Sequence, residues 1–318
     1  MLLAMPIIIG LILDVMFGDP AGIPTPLHLL ELLASKLRDK YTGEEGKEPD
    51  KGKGQLCTFL VMGAALAGAA AVTAVIYLLF PPIGAVLEGV LFWWCLSARH
   101  SFDETMKVHN RLKDGFITDA GVQISMVSER DTVGLDEDGI VRAAVESVAE
   151  DTAAESVAPL FWAMLGGVPL ALMYRGAQAA KDVLGKAETG EAFRAPSKTA
   201  YRIMLAIPTM LAAWLAALTA GIVKLDSKAA RAILSRDGKK YPPNSSIHAA
   251  FAGALGVQLG GDMSVGGEEI HRETVGDEKT EIHFEDIKES DKLMYAATGA
   301  MFLVSVIVRA IIGHFVHF

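Results

Sequence analysis

The sequence predicts an all-α protein, a polytopic integral membrane helical bundle with helical cytoplasmic loops. Of its 318 residues, 51% are hydrophobic and only 21% are charged, and the mean hydropathy of +0.34 is well above that of soluble globular chains. The apolar residues are also clustered. The run 56–80 contains about 25 residues and no charge, which as a helix exceeds the ~30 Å thickness of a hydrocarbon core.

Six apolar segments are predicted to cross the membrane within one domain covering residues 1–318. They lie at 2–17, 56–80, 83–97, 156–179, 203–223 and 293–313. The first lacks the basic start and small-residue cleavage site of a signal peptide, so we expect it to be retained. Pro81 and Pro82 separate the second from the third. The fourth contains Gly166, Gly167 and Pro169, and a re-entrant segment is the alternative interpretation.

The charge of the loops predicts their orientation. If all six segments cross, the polar loops 18–55, 98–155 and 224–292 lie on one side, with 6, 6 and 10 Lys/Arg residues against 5 in the loop 180–202. The positive-inside rule then places the three main loops in the cytoplasm. We expect the protein to be a multi-pass protein of the plasma membrane. The Gly-, Lys- and Glu-rich part of the first loop, 41–55, is predicted to be mobile and without a catalytic role.

Composition excludes several classes of function. The net charge of −9 argues against nucleic-acid binding, which requires a basic surface. Cys57 and Cys95 lie in or beside apolar runs without metal-ligand spacing, so free thiols are expected. The sequence contains no GxxxxGK[ST], GxGxxG, HExxH or GxSxG motif.

Two acids accompany the first apolar run. Asp14 lies inside the run, and Asp19 lies in a Gly-Asp-Pro turn where the run ends. An acid within a membrane span is expensive and predicts a functional role. In the alternative, Asp19 only begins a turn and Asp14 faces the membrane interface.

A helix with two distinct faces is predicted directly before the fourth apolar segment. An apolar stripe at helical spacing is formed by Val141, Val145, Val148 and Thr152. The charged residues occupy other faces: Arg142, Glu146 and Glu150 recur every four residues, and Asp151 and Glu155 form a neighbouring pair. Grouped carboxylates suit Mg²⁺ with substrate phosphates, or general acid–base chemistry. An ordinary solvated face is the alternative.

The region 234–261 combines cationic residues with a predicted helix start. Arg236, Lys239 and Lys240 around a glycine turn suit phosphate binding. Asn244, followed by two serines and a helix of small residues, predicts an N-cap. A basic patch attracted to anionic lipid is the alternative interpretation.

The order and spacing of these motifs resemble the CobD/CbiB family of cobalamin biosynthesis over roughly residues 7–265. The first family motif, D-x-x-x-G-D-P, is matched by Asp14, Gly18, Asp19 and Pro20. The R-D-T-x-x-L and V-E-S-V-A-E-N-T motifs are matched by Arg130, Asp131, Thr132, Leu135, Glu146, Ser147, Glu150 and Thr152. The later motifs are matched by 158–162, Gly166-Gly167, 236–238, Pro243-Asn244 and 250–261.

The resemblance implies a multi-pass adenosylcobinamide-phosphate synthase. Such enzymes join adenosylcobyric acid to an aminoalcohol phosphate through an amide bond, with ATP as cosubstrate and Mg²⁺ as cofactor. The implied roles are catalysis by Glu146, Glu150 and Asp151, metal binding by Asp19 and Glu150, and nucleotide or phosphate binding by Arg130, Asp131, Arg236, Lys240 and Asn244. The implied partners are the two substrates, the lipid bilayer and other corrinoid-pathway membrane proteins.

The chain also departs from the family pattern. Where the family reads E-N-T-S-D-G-V-V-A-P, residues 150–159 read EDTAAESVAP, so a carboxylate is displaced to Glu155. The family's P-H-P turn is Pro24-Thr25-Pro26, and its N-T-L-D-S-M-V-G-Y piece is replaced by residues 178–186. Two hypotheses follow: a divergent synthase, or a non-catalytic or substrate-shifted membrane paralogue that acts as a corrinoid-binding scaffold or sensor.

Overall fold

The computed structural model describes residues 2–19, 25–42, 50–79, 81–128, 130–186, 188 and 190–315, and confirms the all-α fold class. In chain order the α-helices are α1 (Met5–Phe17), α2 (Pro26–Thr42), α3 (Lys51–Leu79), α4 (Pro81–Trp93), α5 (Ala98–Lys113), α6 (Ile117–Ile124), α7 (Glu137–Asp151), α8 (Ala158–Leu184), α9 (Glu191–Thr219), α10 (Ser227–Asp237), α11 (Ser245–Leu255) and α12 (Glu285–Phe315). A π-helical segment, Thr152–Val157, follows α7, and 3₁₀ turns occupy Leu2–Ala4 and Ala220–Val223.

The described strands form two small antiparallel sheets between α11 and α12. β1 (Leu259–Gly260) pairs with β4 (Thr274–Val275), so that Leu259 is opposite Val275. β2 (Met263–Val265) pairs with β3 (Glu268–Ile270), with Ser264 opposite Glu269. The glycine-rich tail of the family-like motif therefore leads into these two-stranded sheets.

Four helical stretches are long and apolar enough to cross a membrane. They are Lys51–Leu79, Glu137–Leu184, Glu191–Val223 and Glu285–Phe315, while Met5–Phe17 is a shorter apolar helix. α1 and α4 contain 13 residues each, or ~20 Å of helix, which is less than a hydrocarbon core of ~30 Å. Four of the six predicted segments therefore have the length of a full crossing.

The exposed surface of α3 confirms that the protein is suited to a membrane. Only 22% of its most apolar window is buried, and large apolar side chains such as Phe59, Val75 and Leu78 are exposed. In water such a helix would expose a large apolar surface, whereas in a bilayer the same surface contacts lipid.

The predicted mobile loop 41–55 is helical at both described ends, and residues 43–49 lie outside the described part. α2 extends to Thr42, and α3 already begins at Lys51. Asp50 starts α3, because its carboxylate accepts a hydrogen bond from the backbone of Lys53 at 2.8 Å. A Cβ on Gly54 would lie 2.3 Å from the Phe193 carbonyl oxygen, so close packing overrides the loop-like composition here.

The chain divides into two compact units, each built from non-contiguous segments. The first contains residues 1–97, 158–207 and 302–318, and the second contains 98–157 and 208–301. In the first unit α3 and α8 pack through small residues: a Cβ on Gly176 would lie 3.0 Å from Ala65 Cβ. Val61, Ala65 and the fully buried free thiol of Cys57 belong to the core there.

Helix α8 is interrupted at the glycine pair that the sequence singled out. Gly167 adopts φ 70° and ψ −164°, which is accessible mainly to glycine. The backbone N–H of Val168, freed by this break, points at Glu88 Oε1 at 3.5 Å. Arg309 also lies beside Gly167, whose Cβ would be 3.2 Å from Glu88 Oε1 and 3.3 Å from Arg309 Nη2. The arginine that interrupts the last apolar run therefore lies close to a buried acid.

The second unit is organised around α7. The helix packs against α5, α6, α11 and β1. The predicted apolar stripe is confirmed, because Val141, Val145, Val148 and Thr152 are all fully buried. Asp136 caps the start of α7 by accepting a hydrogen bond from the backbone of Gly139 at 2.9 Å.

Candidate functional site

Glu146 lies at the centre of a charged cluster in the second unit. Its side chain is only 7% exposed. Oε1 accepts a hydrogen bond from the backbone of Gly260 at 2.7 Å. Oε2 lies 3.0 Å from Arg272 Nη2 and 3.8 Å from Arg130 Nη1. The solvated-face interpretation is therefore wrong for Glu146, which is a buried acid held by two guanidinium groups.

Arg130, which the sequence predicted to bind a cofactor, lies in this cluster. Its Nη2 donates to the Asp262 carbonyl oxygen at 3.2 Å. Its Nη1 is buried and has no hydrogen-bond partner within the described ranges. Burial lowers the pKa of Arg130, Glu146 opposes that shift, and the charges of Arg272 and Arg142 lower the pKa further. The charges of Arg272 and Arg142 therefore both reach Arg130 in the Glu146 cluster.

Arg272 is a member of the cluster that the sequence analysis missed. Besides Glu146, it donates through Nε to the Gly261 carbonyl oxygen at 3.3 Å. Its guanidinium lies 5.1 Å from the centroid of the Tyr241 ring. Arg272 is separated from Glu146 by 126 residues and belongs to no recognised motif, so no local pattern identified it.

Glu150 lies one turn after Glu146 on α7 and has different neighbours. Its Oε1 accepts a hydrogen bond from Asn244 Nδ2 at 2.7 Å and lies 3.1 Å from His248 Nε2. His248 is fully buried, and its Nδ1 is 3.1 Å from the Tyr241 hydroxyl. The Glu150 side chain is 39% exposed, so this carboxylate is anchored on one side and accessible on the other.

The predicted helix start at Asn244 is confirmed, but the capping role of its side chain is not. Asn244 occupies the N-cap position of α11, but its side chain makes no capping hydrogen bond. The same side chain donates to Glu150 instead. The packing of α11 against α7 brings this carboxylate within reach of Asn244 Nδ2, and the negative charge of the acceptor strengthens the hydrogen bond. His248 and Tyr241, near Glu150, were also missed by the sequence analysis.

Asp131 and Asp151 both accept hydrogen bonds from neighbouring residues. The Asp131 carboxylate accepts hydrogen bonds from the Ser264 hydroxyl at 2.6 Å and from the backbone of Gly267 at 2.8 Å. The hydrogen bond from Ser264 is the main cause of the lowered pKa of Asp131. Asp151 accepts a hydrogen bond from the Ser101 hydroxyl at 2.7 Å. Asp131 thus anchors the β2–β3 hairpin, which adjoins the Glu146 cluster through Asp262 and Arg272.

Arg236 and Lys240, the other predicted phosphate ligands, surround a buried acid. Arg236 donates to both oxygens of Asp237, at 2.9 and 2.7 Å, and also lies 2.8 Å from Asp277. Lys240 Nζ lies 3.2 Å from Asp237. The hydrogen bond from Arg236 holds the pKa of the buried Asp237 well below its usual range. Two carboxylates therefore balance these two cations.

The predicted metal ligands Asp19 and Glu150 belong to different units. Asp19 is exposed just after α1. Asp14 is fully buried, so the alternative in which it faces the interface is wrong. Pro20 and Pro24 of the quoted motifs lie outside the described residues.

Within the described part, no group of three or more His, Cys, Asp and Glu side chains is arranged to hold a metal ion. A partly accessible carboxylate such as Glu150 fits Mg²⁺, which retains waters and substrate phosphates as ligands.

The arrangement combines two guanidinium groups with an accessible carboxylate. Arg130 and Arg272 provide guanidinium groups, and Glu150, one helical turn from Glu146, provides a carboxylate that contacts solvent. Guanidinium groups stabilise negative charge on phosphate or carboxylate groups, and a carboxylate accepts a proton or binds a cation. The geometry suits chemistry on phosphorylated substrates.

Comparison with known proteins identifies the family. The profile of the CobD/CbiB proteins matches residues 7–294. Two relatives are called cobalamin biosynthesis protein CobD: one from Clostridium perfringens is 32% identical over 96% of this chain and 98% of its own length, and one from Geobacter metallireducens is 33% identical over 96% of each chain. The cobalamin biosynthesis protein CbiB of Salmonella arizonae is 29% identical over 91% of this chain and 92% of its own length.

No solved structure matches the chain. The matched region 7–294 includes the whole Glu146 cluster and the neighbourhood of Glu150. The similarity also extends over nearly the full length of the relatives. The chain therefore belongs to the CobD/CbiB family of cobalamin biosynthesis proteins.

Proposed function

We propose that this chain is an adenosylcobinamide-phosphate synthase of the plasma membrane, with its main polar loops in the cytoplasm. It would join adenosylcobyric acid to an aminoalcohol phosphate through an amide bond, using ATP. The observation that supports this best is the pair of acids on α7. Glu146 is buried among arginines, and Glu150 follows one turn later in a partly accessible position.

The reaction has two bond-forming steps. An oxygen of the substrate carboxylate attacks the γ-phosphorus of ATP, and ADP leaves. The amine nitrogen of the aminoalcohol phosphate then attacks the acyl carbon, phosphate leaves, and the nitrogen loses a proton. Each step concentrates negative charge on phosphate oxygens, so cationic groups stabilise the transition states.

The acids of α7 have different proposed roles in this reaction. Glu146 holds Arg130 and Arg272 in fixed positions. Glu150 or Asp151 accepts the proton of the amine, since a positioned carboxylate contributes general-base catalysis. Glu150 would be the ligand of Mg²⁺ within the second unit, and the ion when bound would neutralise phosphate charge and polarise the transferred phosphoryl group.

Turnover by membranes that contain the protein tests this function. With adenosylcobyric acid, 1-aminopropan-2-ol O-phosphate and Mg-ATP, we expect adenosylcobinamide phosphate, detected by mass spectrometry. Glu150→Gln removes the accessible carboxylate charge and should lower the rate at least about 100-fold. Asp138→Asn, which changes an exposed acid in the first turn of the same helix, should retain wild-type activity.

Well-folded wild-type protein that yields no product with both substrates present would refute the synthase assignment. Corrinoid binding without turnover, unchanged by Glu150→Gln, would support the scaffold hypothesis instead. Complementation of a strain that lacks the synthase provides the same test in cells.

A further inference from the structure

We propose that Arg130, Arg142 and Arg272 form a binding site for a terminal phosphate group, with Glu146 as its internal counterion. The inference rests on the proposed function, which requires two phosphorylated substrates. Arg272 and Arg142 were assigned no such role by the sequence motifs, and Arg130 was predicted to act together with Arg236 and Lys240. The proposal therefore assigns the phosphate to a different set of cations within the second unit.

The balance of charge supports an anionic ligand. Arg130 and Arg272 share the single carboxylate of Glu146. Arg142, one turn before Glu146 on α7, is close enough for its charge to act on Arg130. Asp262 is an acid near the cluster in the described part of the chain, but its side chain is 68% exposed, accepts a hydrogen bond from the Arg272 backbone and lies 3.2 Å from His271. A phosphate monoester carries a charge of about −1.5 to −2 at neutral pH, which is opposite in sign to the three guanidinium groups.

The cluster also has an unused donor. Arg130 Nη1 is buried and has no hydrogen-bond partner in the described part of the chain. Its 3.8 Å separation from Glu146 Oε2 is too long for a hydrogen bond. A buried guanidinium N–H without an acceptor is costly, whereas a phosphate oxygen would accept its hydrogen bond.

The guanidinium groups are held in place before any ligand binds. Arg272 is fixed by Glu146, by the Gly261 carbonyl oxygen and by the Tyr241 ring. Arg130 is fixed by the Asp262 carbonyl oxygen. Little side-chain freedom is then lost on binding, which favours affinity. Arg236 and Lys240 lack this surplus charge, because Asp237 and Asp277 already neutralise them.

The phosphate has two possible sources, the aminoalcohol phosphate and the terminal phosphate of ATP, and one binding experiment separates them. The full-length protein in detergent is titrated with 1-aminopropan-2-ol O-phosphate, with 1-aminopropan-2-ol, and with Mg²⁺ and a non-hydrolysable ATP analogue. Arg272→Lys retains the charge beside Glu146 but loses the guanidinium fork. We expect it to raise the Kd of one phosphorylated probe at least about tenfold, and that probe identifies the source.

Two further variants make the result decisive. Arg142→Gln removes a cation that makes no hydrogen bond to Glu146 in the described structure, so it tests the site even if Arg272→Lys fails to fold; we expect a severalfold rise in the same Kd. Arg231→Lys, an exposed arginine on α10 that donates to the Ser227 carbonyl oxygen, is the matched control and should bind like wild type. Melting temperatures in detergent verify folding.

Several outcomes would overturn the inference. One is that wild-type protein binds neither phosphorylated probe, or binds the aminoalcohol as tightly as its phosphate while ignoring the ATP analogue. Another is that folded Arg272→Lys and Arg142→Gln bind both probes like wild type. If Arg236→Lys alone lost affinity, the phosphate would instead bind at Arg236.

The result is independent of the test of function. Amide formation by a wild-type protein whose arginine variants bind phosphate normally would leave the synthase assignment intact and reject the phosphate site. If phosphate binding depended on the arginines but no amide formed, the phosphate site would be supported and the synthase assignment rejected.

Discussion

Gly260 shows how a residue without a side chain positions the acid at the centre of the cluster. Its backbone has φ +79°, and a Cβ there would lie 2.6 Å from the Glu273 carbonyl oxygen and 2.7 Å from the Tyr241 hydroxyl. In this tightly packed position the backbone N–H of Gly260 donates to Glu146 Oε1 at 2.7 Å. Both the left-handed conformation and the close approach therefore require glycine.

Replacing Gly260 with alanine should destabilise the protein. We expect Gly260→Ala to lower the free energy of unfolding by about 1–3 kcal/mol, because it adds backbone strain and a steric clash. Gly299→Ala is the control, since an added Cβ in α12 meets nothing within 4 Å and alanine favours helix. Thermal or denaturant unfolding in detergent measures both. Equal stability of the two variants would contradict the role given to Gly260.

At the level of elements, the β2–β3 hairpin is held by one carboxylate. Asp131 accepts hydrogen bonds from Ser264 and from the backbone of Gly266 and Gly267 at the hairpin turn. The Asp131 backbone N–H also donates to the Ser264 carbonyl oxygen at 2.8 Å. Because Arg272 lies two residues after the end of β3, this anchor helps to determine where its guanidinium lies.

Asp131→Asn should loosen the hairpin. The amide oxygen retains part of the hydrogen bonding but lacks the charge that strengthens it, so amide exchange at Gly266 and Gly267 should become severalfold faster. Glu269→Gln, a neutralised exposed acid on the same hairpin, is the control. Unchanged exchange in Asp131→Asn would show that the carboxylate does not hold the turn.

The contribution of the Asp131 carboxylate to the stability of the β2–β3 hairpin should depend on pH. The folded state lowers the pKa of Asp131, so its contribution to stability is present above the ordinary aspartate pKa of about 3.9. That contribution is lost as the pH falls through the lower pKa of the folded protein. In wild-type protein the exchange at Gly266 and Gly267, corrected for intrinsic rates, should therefore accelerate only on strong acidification.

At the level of the whole molecule, the orientation in the membrane stays a prediction with a direct test. Both native cysteines, Cys57 and Cys95, are fully buried, so labelling by a membrane-impermeant maleimide should have a low background. Single cysteines are then introduced at two exposed acids, Glu268 in the β2–β3 hairpin and Glu188 between α8 and α9.

We expect Glu268→Cys to react only when the cytoplasmic face is accessible, as in inverted vesicles. Glu188→Cys should react from the opposite face if the segment 156–179 crosses the membrane. Labelling of both positions from the cytoplasmic face would favour the re-entrant interpretation of that segment. Labelling of Glu268→Cys in intact cells would contradict the predicted orientation of the main loops.

The sequence by itself determined the features that depend on neighbouring residues. Apolar runs predicted the long helices, because a membrane span requires a continuous apolar stretch. Helical spacing predicted the buried stripe of α7 and the common side of Glu146 and Glu150. The order of the motifs identified the family, which the comparisons confirmed.

Only the tertiary structure decided which partners each polar group has. It joined Glu146 to Arg272 and to Gly260, and it directed the side chain of Asn244 to Glu150. These pairs depend on the path of the chain, since residues over 90 positions apart meet only after α7, α11 and the hairpins have packed. Whether a charged side chain remains available to a ligand is decided by those contacts, and local sequence patterns do not contain them.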